Sequence, residues 1–136
     1  MKDLIQNLKG KHIRVTPQRL GVYEILYNEK KHLTVNDIYA RIKSRFPGIS
    51  LATIYAILKL FSEKKVANEI RISFEKSCFE ARTDSHHHFY CKKCLKILDI
   101  DLHPCPALQQ ESVNGHVIEK LQGYFYGICR NCKEKA

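Results

Sequence analysis

The chain has 136 residues, 23 Lys and Arg against 14 Asp and Glu, and a formal net charge of +9. That length allows one domain or two small ones, and no apolar run approaches the roughly 20 residues of a membrane-crossing helix, so a soluble protein is expected and a membrane partner is not. Residues 1–83 carry 16 Lys and Arg against 8 Asp and Glu, and residues 84–136 carry 7 against 6. This asymmetry predicts a basic module for a polyanion, followed by a near-neutral module with another task.

The opening Met1-Lys2-Asp3-Leu4-Ile5-Gln6 has mixed charge and no apolar export core, so the expected compartment is the reducing cytoplasm. The first helix signal follows at Thr16-Pro17: Thr16 suits a cap and Pro17 the first helical position. Leu20, Val22, Tyr23, Ile25 and Leu26 then supply an apolar stripe over 17–28. Thr34-Val35-Asn36-Asp37 reads as a capping box with Asp for Glu, opening a second helix through Ile38, Tyr39, Ile42 and Phe46 up to Pro47-Gly48. Ser50 caps a third helix, Leu51 to Phe61, before Ser62-Glu63-Lys64-Lys65 breaks it. Residues 66–72 and 78–81 read as two strands joined by the polar segment Ser73 to Ser77.

Helices followed by a basic hairpin describe a winged helix-turn-helix, in which the third helix enters the major groove of duplex DNA and flanking cations hold phosphates. Lys11, Arg14, Arg19 and Lys59 are the candidates for phosphate, and Ser50, Thr53 and Tyr55 stand at the reading end of that helix. A small helical domain with the same residues merely solvated is the alternative.

In the last third, Cys91-Lys92-Lys93-Cys94 and Cys129-Arg130-Asn131-Cys132 supply four thiolates, the donor set of a closed tetrahedral Zn2+ site that scaffolds and does not catalyse. The alternatives are a redox Cys-x-x-Cys and a disulfide framework. The 34 residues between the two pairs imply a small subdomain. At about 50 residues it is too short to bury a sufficient core, so zinc and a partner chain are expected to complete it. In an extended His86-His87-His88, alternate side chains share a face, so His86 and His88 form half of a second metal site. Asp99 in an apolar strand needs a partner, as does Glu80 on the wing, while His32 by itself is a loop residue.

The motifs Arg14-x-Thr16-Pro17-Gln18-Arg19, His32-x-Thr34-x-x-Asp37-Ile38-Tyr39, Ser50-x-Ala52-Thr53-Ile54-Tyr55, His86-x-His88-x-x-Cys91-x-x-Cys94 and Cys129-x-x-Cys132 follow in one order along the whole chain. In them the chain resembles the ferric uptake regulator family, nearest to its peroxide-stress regulators, with iron-uptake and zinc-uptake regulators as further relatives. The resemblance implies an α+β homodimeric repressor: a winged-helix DNA-binding domain over 1–83, a hinge near Thr83 to Ser85, and an α/β dimerisation domain over 84–136 stapled by the four-cysteine zinc. It implies a regulatory metal on His32, Glu80, His86, His88 and Asp99, a mixed donor set that suits Fe2+ or Mn2+ as corepressor. It also implies that in peroxide sensing His32 and His86 are the oxidised ligands. Ligands drawn from both domains would let the metal select the orientation that fits a palindromic operator, at a differential affinity of roughly 5.5 kcal/mol.

Several positions depart from that pattern. Glu80 stands where peroxide regulators usually carry Asp and iron-uptake regulators Glu. Leu121 and Ser85 stand where a further histidine site of iron-uptake regulators would need His. Cys78 and Cys105 read as structural cysteines and His103 as a loop residue, while Ala56-Ile57 replaces polar residues that reach bases in relatives. A zinc-ribbon enzyme with His86, His88 and Asp99 as its metal centre and Glu80 as base is the reading from another class.

Overall fold

The structure is a computed structural model and describes residues 2–29, 32–71, 77–83, 86–100, 112–119, 121 and 123–134. Contacts group the chain into two compact units, Met1–Thr83 and Asp84–Ala136.

The first unit opens with a short helix that no cap or apolar period in the sequence marks, α1 (Lys2–Gly10). Leu4 and Leu8, four residues apart and therefore on one face, are buried. The helix is closed by His12 in the left-handed region (φ 59), which lets Ile13 N–H reach the Leu8 carbonyl at 3.0 Å and buries Ile13. Helix α2 (Pro17–Asn28) has the expected bounds, with the Thr16 side chain accepting from Arg19 N at 3.2 Å. A Cβ on Gly21 would meet the Phe46 and Ile42 side chains at 3.1 and 3.3 Å, so glycine here sets how closely the next helix approaches.

A two-residue strand, β1 (Leu33–Thr34), leads into α3 (Val35–Ile42). The capping box is complete: Thr34 Oγ1 accepts from Asp37 N at 3.1 Å, and Asp37 Oδ2 accepts from Thr34 N at 3.0 Å. The helix stops at Ile42, short of the expected Phe46. Arg45 and Phe46 N–H both bond the Ile42 carbonyl, at 3.0 and 3.1 Å, because the residue before Pro47 is disfavoured in a continuing helix. Phe46 still packs on the core, and this packing is what the apolar period reported. Helix α4 (Leu51–Glu63) is capped by Ser50 through Thr53 N at 3.1 Å and closed by Lys65 (φ 59), with Val66 N–H on the Phe61 carbonyl.

Strands β2 (Asn68–Ile70) and β3 (Cys78–Glu80) pair antiparallel, and β1 joins on the other side of β3, giving the order β1-β3-β2. The expected hairpin is therefore a three-stranded sheet, with strands shorter than the apolar runs. The residues that would join β2 to β3, 72–76, lie outside the described residues. Val22, Leu26, Ile38, Ile42, Ile54, Leu58 and Phe61 form the core between the helices, with Tyr23 edge-on to Phe61 at 5.8 Å. This is a winged helix-turn-helix, with α3 and α4 as its helix pair.

The second unit is built on a mixed sheet. β4 (His87–Cys91) pairs antiparallel with β5 (Ile97–Ile100) and parallel with β8 (Gly123–Gly127). Between them β6 (Ser112–Val113) and β7 (His116–Val117) form a hairpin around Asn114 and Gly115, at φ 51 and 81, the positive pair of a tight primed turn. Helix α5 (Arg130–Glu134) closes the described part. Ser85, His103 and Cys105 lie outside the described residues, as does most of the expected hinge. Among the described residues no helix is long and apolar enough to cross a membrane.

Candidate metal centres and nucleic-acid interface

The four cysteines converge within the second unit. Cys91 ends β4 and Cys94 lies three residues on, in a turn held by Leu95 N–H on the Cys91 carbonyl at 2.9 Å, with Leu95 at φ 62. Cys129 follows β8, and Cys132 sits on α5. All four sulfurs lie within 4.8 Å of one another, and Cys94 and Cys129 Sγ are 3.7 Å apart. Sulfurs on a tetrahedral zinc at ~2.3 Å sit about 3.8 Å from each other, so the donor set and its spacing fit that ion. Cys91 Sγ accepts from Cys94 N at 3.4 Å and from Cys129 N at 3.3 Å.

Those amides act on charge. The Cys94 amide, opposed by burial and helped by the Cys129 amide, lowers the Cys91 thiol to about 6, while the neighbouring Cys129 sulfur and then burial raise Cys132 to about 12. The Cys132 amide also lowers Cys129. Near neutral pH Cys91 is therefore already a thiolate, and Cys132 holds its proton until a cation takes its place.

The second set of expected ligands is assembled as two groups, each within its own unit. In the second unit, β4–β5 register sets His88 opposite Asp99, and the preceding His86 lies on the same face. His86 and His88 Nε2 lie 3.3 and 3.5 Å from one oxygen, Asp99 Oδ1, and their rings are 4.4 Å apart. Both histidines are buried. His87 turns to the other face, edge-on to Phe125 at 5.6 Å, as the extended alternation requires. It packs so closely over Gly123 that a Cβ there would overlap the ring.

In the first unit, Leu33 opposes Phe79 and Thr34 opposes Cys78, so the next pair outward is His32 and Glu80. His32 Nε2 and Glu80 Oε2 are 3.1 Å apart with both side chains 7% exposed. His32 is thus a buried partner of a carboxylate and not the exposed loop residue its sequence position suggested by itself. Adjacent donors on an octahedral divalent ion at ~2.1 Å sit about 3 Å from each other, and both groups have that spacing. On the third strand Asn68 opposes Glu80 and donates to its Oε1 at 3.0 Å, a contact sequence reasoning missed. Its only signal is a polar residue on the strand face that Ile70 turns to the core.

On α4, Ile54, Ile57, Leu58 and Phe61 face inward, and Ala52, Tyr55, Ala56, Lys59 and Glu63 face outward. Grooves flank that face. Thr53 lines one with Thr16, Gln18 and Arg19; Tyr55 and Lys59 line the other, with Asp37 and Arg71. Tyr55 is 58% exposed. Ser50 is engaged as the cap and also pairs with Thr53 Oγ1 at 3.0 Å. Arg19 Nη1 donates to the Arg14 carbonyl at 2.9 Å, which steadies the half-buried Arg19, while Arg14 and Lys11 are exposed. Arg71, at the end of β2 and bonded to Glu69 at 2.9 Å, is a further cation of the second groove.

The chain is similar over nearly its whole length to known regulators. The peroxide operon regulator of Bacillus subtilis (strain 168) is 32% identical over 137 residues, spanning 99% of this chain and 94% of the relative. The peroxide-responsive repressor PerR of Staphylococcus epidermidis (strain ATCC 12228 / FDA PCI 1200) is 31% identical, spanning 99% and 91%. The iron-containing ferric uptake regulator of Francisella tularensis superposes with a TM-score of 0.71 at 25% identity, over 89% of this chain and 95% of that one. PerR from Streptococcus pyogenes, described as a basis for peroxide sensing, gives 0.54 at 26%, over 96% and 90%. The model of the ferric uptake regulator family matches residues 10–126, and the chain belongs to that family.

Proposed function

We propose that this protein is a cytoplasmic, homodimeric repressor that holds palindromic operator DNA when loaded with Fe2+ or Mn2+ and releases it on exposure to peroxide. The observation that carries the reading is the division of labour among the ligands: His32 and Glu80 are paired in the unit that bears α4, and His86, His88 and Asp99 in the other. Residues of both groups holding one cation would favour a single orientation of the DNA-binding unit, 1–83, and the dimerisation unit, 84–136, and so a spacing of two α4 helices across about one turn of DNA. Iron held there would supply the electrons that peroxide takes up, and manganese would serve as a redox-quiet corepressor. The protein's own part is to surround the ion with oxidisable imidazoles, of which His32 and His86 are the targets that the family resemblance implies, and to keep the four thiolates tied up on Zn2+.

The regulators above are transcription factors by name, which favours this reading over a zinc-ribbon enzyme. Glu80 in place of Asp favours an iron-uptake regulator as the second reading; zinc-uptake regulation stands third. On the DNA side, Lys11, Arg14, Arg19 and Lys59 take phosphates, and Ser50, Thr53 and Tyr55 sit at the groove. A labelled duplex from the chain's own promoter is expected to bind only when Mn2+ is added, with an affinity that falls steeply between 50 and 200 mM salt, by about 10³-fold for a dimer making six or more phosphate contacts. Metal-dependent turnover of a small substrate without DNA affinity would overturn the proposal.

A further inference from the structure

Glu80 is gripped from two sides. It ends β3, the middle strand of its sheet, with His32 across one flank and Asn68 across the other. Its two oxygens have separate employment: Oε2 lies 3.1 Å from His32 Nε2, and Oε1 accepts from Asn68 Nδ2 at 3.0 Å. Asn68 is 7% exposed and Glu80 6%. A neutral amide is a suitable holder for a carboxylate meant for a cation. A lysine or arginine there would neutralise the oxygen and repel the ion, and an aliphatic residue would leave the longer Glu side chain to rotate, with a buried oxygen lacking that donor.

We propose that Asn68 is a positioning residue for the regulatory metal: by holding Oε1 it presents Oε2 of Glu80, beside His32, as a single fixed donor. The inference rests on the reading of Glu80 as a metal ligand and adds to it a supporting contact of the kind that commonly sets ligand orientation and affinity. The one-oxygen presentation suits an ion with compact octahedral demands and works against one that takes both oxygens.

The test is a double-mutant cycle on the zinc-loaded full-length dimer, with the dissociation constant of Mn2+ as the readout. The variants are Asn68→Leu, Asn68→Ala, Glu80→Ala and the doubles, the two substitutions at Asn68 guarding against one that fails to fold. Removing the amide is expected to weaken Mn2+ binding by about 10- to 100-fold in the otherwise native chain, and by less than about twofold once Glu80 is already Ala. A purely structural role would cost the same in both backgrounds, so equal losses overturn the proposal. So does unchanged affinity in both Asn68 variants while Glu80→Ala alone weakens binding, which would leave the ligand reading standing. Unchanged affinity in Glu80→Ala would overturn the ligand reading itself and this inference with it.

Discussion

Cys129→Ser is expected to leave the purified protein with little zinc and its second unit without a cooperative thermal transition, while the first unit stays folded. The reason lies in where the apolar residues are. Among the described residues, every buried aliphatic, Phe or Tyr side chain belongs to the first unit, and the buried hydrophobic residues of the second are Cys91 and Cys129 themselves. Leu95, Leu98, Phe125, Tyr126 and Ile128 of the second unit are each more than 40% exposed. A sheet of three short strands with that distribution has little burial to offset the entropy of ordering it. Structural zinc contributes about 10–16 kcal/mol in small metal-folded domains at pH 7, enough to decide whether such a unit folds. The control is Cys78→Ser: Cys78 is buried on β3 in the other unit and should keep the full zinc content. Metal analysis with calorimetry reads both. Cys129→Ser protein with full zinc and an intact second transition would remove zinc from its structural role.

The second large effect is expected at Asp99. Asp99→Asn keeps the shape of a side chain that is 32% exposed, so folding and zinc content should not change, but it removes the charge that two buried imidazoles share. Mn2+ affinity should fall at least 100-fold, about 3 kcal/mol or more, because the variant loses an anionic donor and not merely a supporting contact. Metal-dependent operator binding should be lost in parallel. Mn2+ titration followed by duplex binding on the same samples makes the comparison. Weak metal binding with DNA affinity retained would break the link between this centre and repression.

Much of this was legible in the chain because it is carried by local chemistry. Thr16-Pro17 and Ser50 cap their helices as their residue types require, and Thr34 with Asp37 closes its box. Two Cys-x-x-Cys pairs announce a tetrathiolate from spacing alone, and strand alternation separates His86 and His88 from His87. What was not legible depends on packing between distant segments. Helix α1 is short and holds on through Leu4 and Leu8, too few apolar positions to show a period. Strand β1 is two residues long and exists because β3 offers an edge. Asn68 becomes meaningful only when β2 and β3 are in register. Helix α3 ends at Ile42 and not at Phe46 because apolar spacing marks which residues pack and not where helical hydrogen bonds end. The Asn114-Gly115 turn, by contrast, is a strong hairpin signal carried by the sequence itself.

We propose that a redox-active metal on His32, Glu80, His86, His88 and Asp99 governs the grip on DNA. Operator affinity of protein loaded anaerobically with Fe2+, measured before and after a brief, near-stoichiometric peroxide pulse beside the Mn2+ form treated alike, tests this. The Fe2+ form is expected to lose the operator, with oxidation mapped by mass spectrometry to His32 or His86, and the Mn2+ form to keep it. Retention of the operator by both forms would contradict peroxide sensing and leave an iron- or manganese-dependent uptake regulator in its place.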